Sequence, residues 1–537
     1  MLSTGTMQSY RLTVDKFLEH AATWAGANGI VQSLPGGERL RAGYAETRTR
    51  ANRMSGALAA LGLEPGQRVG TLGWNTRHHF EIYYATMGMG LVCHTLNPRV
   101  TAPQLAAMIN EAEDALLAVA ADLVPLALEL VTLCPSLRHL IVMDEPATQD
   151  PAPPRVPVLD YEKLLAANGA PYEWGRFGED TPAGLCYTSG TTGEPKGVLY
   201  THRSNYLHTL RALQADSFAI TARDTVLLAV PMFHANGWGL PFSVPAAGAR
   251  MVLPGRKLDG GSLLRLMREE SVTIAVGVPT VWVGLLDRLE KEGGDLPALE
   301  RILVGGSTCP EALIRRVEER LGARVQTSWG MTELSPMGTI APPEAPGAAH
   351  SGRPPLGLDI KLTDSEGLAL PDQRGHVGHL RVSGASVIDR YFNSDEDMLD
   401  EEGFFDTGDL AMLDAEGNLV ICGRSKDLIK SGGEWINPAE IEAIVGAEPS
   451  ICAAAVIARA DEKWGERPLL AVQLRRGHTL EPADLIDKLR GKVADWWIPT
   501  EIIEVSEMPL AATGKIDKNR LRELFEAGAI QARPVTG

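Results

Sequence analysis

Residues 187–197 read YTSGTTGEPKG and follow TPAGLC at 181–186, a short apolar run with the length of a buried strand. Three glycines, Gly190, Gly193 and Gly197, let the backbone come close to a ligand and turn its N–H groups toward it. Thr188, Ser189, Thr191 and Thr192 add hydroxyl donors, and Lys196 adds a positive charge. A flexible surface loop has no use for so many donors in eleven residues; a phosphate cradle does. It is not a Walker A loop, whose second glycine stands five positions after the first, where this chain has Pro195.

Outward from this segment, helical and strand patterns alternate. Residues 46–62 carry apolar side chains at helical spacing, 68–74 read as a short buried strand, 78–92 as a helix, and LVCHTLNP as a strand ending in a turn. TVLLAVP (225–231), TIAVGVP (273–279) and RILVGGS (301–307) are further strands running into Gly, Pro or Ser, as strands entering active-site loops do. The alternation predicts an α/β fold. The Pro-rich stretch 145–157 reads as a surface loop. A clearer break falls at 424–428: before it lies a hairpin around the turn Asp414–Asn418, and after it a helix opens with Asn437 as N-cap and Pro438 at the first helical position. The domains expected are therefore 1–423, a hinge at 424–428, and a small α+β unit at 429–537.

At 537 residues the chain exceeds one ordinary core. Lys and Arg total 51 against 68 Asp and Glu, so its net charge of -17 disfavours nucleic acid and anionic lipid as partners. The six cysteines are scattered with no C-x-x-C pair, which argues against a disulfide scaffold or zinc site and for reduced, mostly buried thiols. The N-terminus has no signal-peptide pattern and the C-terminus no peroxisomal tripeptide, so a cytoplasmic location is expected. The most apolar stretch, 115–133, contains Asp122, Pro125 and Glu129 and reads as a helix of a soluble protein, not a membrane span. No G-x-S-x-G occurs, which disfavours a serine hydrolase.

YTSGTTGEPKG resembles the signature of the adenylate-forming superfamily, which holds acyl-CoA synthetases, luciferase and peptide-synthetase adenylation domains. The resemblance continues in order through PMFHANGWGLPF (231–242), VGGSTCP (304–310), WGMTELSP (329–336), SGRP (351–354), FDTGDL (405–410), GRSKDLIKSGGEWINPAEIE (423–442) and PLAATGKIDKNRLRE (509–523). It implies a large multi-sheet N-terminal domain with a mobile C-terminal lid, a homodimer, and a ligase that uses ATP, Mg2+ and CoA on a small carboxylic acid. Hydroxide is a poor leaving group, so the acid is first joined to the α-phosphate of ATP with loss of pyrophosphate. Such a step needs cations and directed donors more than a base.

Residue roles follow from the same resemblance. Glu333 and Thr188 would hold Mg2+ through oxygen, with Thr332 and Lys196 on the phosphates. Asp409 would accept the ribose hydroxyls, assisted by Arg424. Gly305, Gly306 and Ser307 resemble the adenine-side loop, with Trp329 and Gly330 on the other side. Lys515 is similar to the lysine that bridges carboxylate and α-phosphate, worth on the order of 10²–10³ in rate. Lys426 stands at the hinge position, Gly432-Gly433 on the loop that turns toward CoA, and Lys430 and Trp435 resemble nucleotide contacts. His234 would lie beside the carboxylate. Trp238 resembles the gate of fatty acyl-CoA synthetases, Gly237 replaces an alanine usual there and would widen the pocket beside the gate, and Val278 belongs to an apolar wall, 276–280. The N-terminal blocks are similar to medium-chain and 3-methylmercaptopropionate–CoA ligases, which implies a short- to medium-chain fatty or methylthio-alkanoic acid. An aromatic acid, or a separate carrier protein as thiol acceptor, are the alternatives.

Overall fold

Parallel strands with apolar residues on both faces need helices over each face, and the computed structural model arranges two such sheets. It describes residues 6–144, 155–188, 195–345, 347–348, 350–432, 434–479, 481–510 and 516–535. In the first sheet the strand order is 158–160, 139–142, 116–119, 68–72, 92–96, 182–187 and 197–201. Every pair is parallel except the last, where Gly197–Thr201 returns antiparallel to Pro182–Tyr187. The second sheet runs 337–340, 324–330, 301–304, 274–277, 225–228, 250–253, 29–33 and 39–43, with antiparallel strands only at its two edges.

Helix Arg77–Gly88 is buried along its whole length. Its Ile82 and Ala85 join Val69, Leu116 and Ile141 of the first sheet, while Phe80, Tyr83, Tyr84 and Met87 join Val226, Met251 and Val276 of the second. A helix buried all round belongs between two layers. Its one deeply buried acid, Glu81, is bound by Arg50 Nε and the Tyr161 hydroxyl, both at 2.8 Å.

A third, antiparallel sheet orders 358–363, 377–384, 405–413 and 419–424. The hairpin expected around Asp414 forms, with Asp414 N donating to Asn418 O at 3.0 Å. A short turn, Ser425–Asp427, leads to a fourth sheet ordered 434–436, 429–431, 465–474, 501–504 and 532–534, with 451–461 also paired to 465–474. Helix Pro438–Gly446 is capped by Asn437, whose side chain accepts from Ala439 N. The chain is thus α/β with several sheets ahead of a small C-terminal unit.

One reading is corrected. The apolar stretch 115–133 is not a single helix: Leu116–Val119 is an interior strand, and the helix is Val124–Leu133 with Pro125 in its first turn. A run of four buried apolar residues fits a strand covered on both faces as well as a helix, and periodicity alone does not separate them. Among the described residues no helix is long and apolar enough to cross a membrane. The cysteines are unpaired; four are buried, Cys422 is half-buried and Cys452 exposed. Most of 145–157 lies outside the described residues.

Candidate active site

The antiparallel edge of the first sheet builds the stem of the proposed cradle. Thr188 N donates to Lys196 O at 2.9 Å, and Lys196 N donates to Thr188 Oγ1 at 3.1 Å, so the two residues close a ring at the loop's base. Ser189, Gly190, Thr191, Thr192 and Gly193 lie outside the described residues, as do Gly433 and Lys515. Lys196 is exposed and holds its Nζ 4.7 Å from the centre of the Tyr391 ring.

The other face of that group is acidic. Tyr391 donates its hydroxyl to Glu333 Oε1 at 2.8 Å. Glu333 is buried in the short turn Thr332–Leu334 and makes no ion pair among the described residues. Burial raises its pKa, opposed by the Tyr391 hydrogen bond. A buried carboxylate without a cation is a costly arrangement. With the Thr332 hydroxyl next to it in the chain, it offers the oxygen donors that Mg2+ takes. Among the described residues no cluster of three His, Cys, Asp or Glu forms a cage for a metal; an ion bound mainly through substrate phosphates needs one or two carboxylates only. Thr332 is fixed from behind, its carbonyl accepting from Tyr200 at 2.6 Å.

The third sheet supplies a second buried carboxylate. Asp409 and Arg424 are paired across neighbouring strands, with Arg424 Nε 2.8 Å from Asp409 Oδ1. Trp329 Nε1 donates to Asp409 Oδ2 at 2.8 Å. Trp329 is 9% exposed and Gly330 follows it at the strand's end, so the indole is a donor to the acid, packed with Leu334, Leu358 and Phe405. Arg424 Nη1 also reaches Thr407 O at 3.1 Å.

The residues expected on the acid side lie within 230–241. Ala235, Asn236, Gly237, Trp238 and Gly239 all have positive φ, between 38° and 72°. A run of left-handed residues costs on the order of 1–2 kcal/mol for each one that is not glycine, so the surroundings must enforce it. They do so from below. Asn75 Nδ2 donates to Leu228 O and Val230 O at 2.8 and 2.7 Å, and Asn75 Oδ1 accepts from Met232 N at 2.8 Å. Tyr83 donates to Met232 O, and Tyr84 to Pro241 O at 2.9 Å.

The Trp238 indole lies on the Gly305-Gly306 backbone. A methyl at Gly305 would stand 3.1 Å from Trp238 Cη2 and 2.5 Å from Ser328 Oγ, and one at Gly306 3.2 Å from Val278 Cγ1. Trp238, the Gly305-Gly306 loop and Val278, the residues expected to form the gate, the adenine side and the acyl wall, therefore meet; Ser307 is exposed and His234 half-buried at the turn's start. Gly237, expected to widen the pocket beside the gate, also meets a backbone demand. A methyl there would stand 3.2 Å from Pro241 and 3.4 Å from Met232 Cα, and the residue's φ of +62° is what glycine relieves.

The residues expected at the hinge and on the lid follow the third sheet in the chain. Lys426 is exposed, and partial desolvation of its amine lowers its pKa. Lys430 and Trp435 face each other across a two-stranded tip, Nζ 5.4 Å from the indole, with Gly432 at the turn and its N–H on Trp464 O at 2.8 Å.

With this geometry in place, the comparisons are decisive about kinship. A family model described as AMP-binding enzyme matches residues 17–392, and one for the AMP-binding enzyme C-terminal domain matches 440–515. The chain belongs to the AMP-binding enzyme family. This AMP-binding enzyme is 42% identical over 533 residues to a medium-chain-fatty-acid–CoA ligase of Ectopseudomonas oleovorans, covering 97% of each chain. It is 41% identical over 534 residues to a 3-methylmercaptopropionyl-CoA ligase of Ruegeria lacuscaerulensis, covering 97% of this chain and 99% of the other. Its fold matches o-succinylbenzoate CoA synthetase of Bacillus subtilis in complex with ATP and magnesium ion. There the TM-score is 0.79 at 25% identity, covering 94% and 99% of the two chains.

Sequence reasoning passed over Tyr391 and Asn75. Tyr391 stands in DRYFNSDED, whose acids look like a solvated turn, and nothing local marks the tyrosine. Asn75 precedes a helix and reads as a cap; its partners lie more than 150 residues away.

Proposed function

We propose that this AMP-forming acid–CoA ligase acts on a short- to medium-chain fatty or methylthio-alkanoic acid. The observation that carries the chemistry is the meeting of Lys196 and Glu333 on the two sides of Tyr391, at the mouth of the glycine-rich hairpin. The acid class rests on the apolar side chains of Trp238 and Val278, which meet over Gly306, and on the two bacterial relatives above 40% identity.

In this reading the acid enters as a carboxylate beside His234 and its oxygen attacks the α-phosphorus of ATP. The new C–O–P bond forms as the bond to pyrophosphate breaks. Lys196 and the loop N–H groups receive the charge that gathers on the leaving phosphates. Asp409, held by Trp329 and Arg424, accepts from the ribose hydroxyls, since each carboxylate oxygen can accept more than one hydrogen bond. Glu333 and Thr188 are the residues that would hold Mg2+, which neutralises phosphate charge when bound. Lys515 serves the first step. Rotation about 424–428 then brings the Gly432-Gly433 tip to the site, and the CoA thiol sulfur displaces AMP from the acyl carbon.

The test is AMP release with ATP, Mg2+ and CoA across C4–C12 fatty acids, 3-methylthiopropionate, benzoates and cinnamates. Turnover peaking on the alkanoic acids is expected. Turnover confined to the aromatic acids, or acid-dependent pyrophosphate exchange without thioester formation on CoA, overturns the assignment.

A further inference from the structure

We infer that Tyr391 is a positioning residue for the ligase reaction, holding the metal-binding carboxylate Glu333 and the phosphate-loop cation Lys196 on one aromatic ring. The inference rests on the reading of Glu333 and Lys196 given above.

Tyr391 belongs to a segment sewn to both partners by backbone. Phe392 N donates to Gly197 O at 2.8 Å, and Ile388 N donates to Glu333 O at 3.1 Å. The fit at the first seam is close: a methyl on Gly197 would come within 2.9 Å of Phe392 Cβ. Behind it, Ile388 and Tyr391 pack on buried Cys186, Val198 and Tyr200 of the hairpin stem. The ring therefore has little freedom, and both of its functional edges are in use. The hydroxyl gives its single proton to Glu333 Oε1 at 2.8 Å, which sets the carboxylate plane. The face lies under Lys196 Nζ at 4.7 Å, a cation–π arrangement. One side chain thus spaces the two charges that must straddle a polyphosphate. Lys196 is otherwise a long exposed side chain, and holding it in place before the nucleotide arrives lowers the ordering cost of binding.

Tyr391→Phe separates these contacts, since it keeps the ring under Lys196 and removes the donor to Glu333. Calorimetry with α,β-methylene-ATP, in Mn2+ and in EDTA, reads the metal's contribution without turnover. Outer-shell partners of metal ligands are typically worth 10–100-fold in metal affinity. Tyr391→Phe is therefore expected to cut the Mn2+-dependent gain in nucleotide affinity about tenfold and to leave metal-free affinity unchanged. Tyr391→Leu loses the face too and is expected to weaken metal-free binding as well. Thermal unfolding checks that each variant is folded. Glu333→Gln is the control arm. If it abolishes the Mn2+ gain and folded Tyr391→Phe keeps the full gain, the positioning role is wrong while the reading of Glu333 stands. If Glu333→Gln itself keeps the full gain, Glu333 is not the metal carboxylate and both are wrong.

Discussion

The Trp329 indole N–H and the Asp409 carboxylate are joined by a 2.8 Å hydrogen bond in which both partners are buried. Asp409 is thus held from two sheets, by Trp329 at the end of the second and by Arg424 on the adjoining strand of the third. Trp329→Phe keeps an aromatic ring and leaves Oδ2 without this donor. An unmet hydrogen bond on a buried charged group costs about 1–3 kcal/mol. A carboxylate freed on one side also swings from the position proposed for the ribose. The expected outcome is roughly a tenfold rise in KM for ATP, with KM for the acid little changed. Equal rises for both substrates would mean that Trp329 supports the whole site and not the nucleotide end.

Gly237 and Gly305 make opposite predictions although both flank the Trp238 turn. An alanine at 237 must hold φ near +62° with its methyl 3.2 Å from Pro241. That costs stability, about 1–2 kcal/mol. An alanine at 305 drives into Trp238 at 3.1 Å and Ser328 at 2.5 Å. Gly237→Ala should therefore lower the unfolding midpoint and leave the ranking of acids by kcat/KM as it was. Gly305→Ala should reorder that ranking and weaken ATP binding. A changed chain-length preference in Gly237→Ala would instead support the pocket-widening role expected from the sequence.

Much of the fold was legible because its elements announce themselves locally. Asn437-Pro438 capped a helix as cap chemistry dictates, the turn at Asp414 closed its hairpin, and the strand 301–304 ended where Gly305 follows. Leu116–Val119 was misread because a short apolar run carries no period to separate strand from helix. At the site, motif residues could be named in advance but their partners could not. Asn75 meets Leu228 and Met232 only once two sheets have formed, and Tyr391 meets Glu333 across 58 positions. Such contacts are properties of packing and have no counterpart in spacing. The left-handed turn at 235–239 is of the same kind, a conformation that composition does not foretell.

Lys515 lies in ATGKIDK, and its proposed role separates the two half-reactions. If its charge bridges the carboxylate and the α-phosphate, Lys515→Ala loses acyl-adenylate formation by on the order of 10²–10³. A synthetic acyl-adenylate supplied with CoA should still give thioester at close to the parent rate, because the lysine has left the site by then. Single-turnover measurement of each half-reaction is the check. Equal loss in both would assign the residue to lid docking.

His202 ties acid stability to one buried ring. It is fully buried at the start of helix His202–Ala212, and its Nδ1 accepts from Val14 N at 3.2 Å, so the ring is held neutral. Burial, with a smaller push from Lys16, lowers its pKa to about 3. The unfolded chain takes up that proton near pH 6.5. Between these values the unfolded state binds more protons than the folded one, so stability rises with pH and is lost as pH falls from about 6.5 toward 3. His79, lowered to about 4 by burial, acts in the same direction, so the telling quantity is a difference between variants. His202→Asn keeps an acceptor for Val14 N and removes the titration. It should be less stable at pH 7, through lost packing with Phe177, yet lose less further stability on acidification. The difference in slope should approach one proton, about 1.4 kcal/mol per pH unit, in urea unfolding between pH 6 and 4.5. Parallel slopes for the two proteins would show that His202 is protonated in the folded chain.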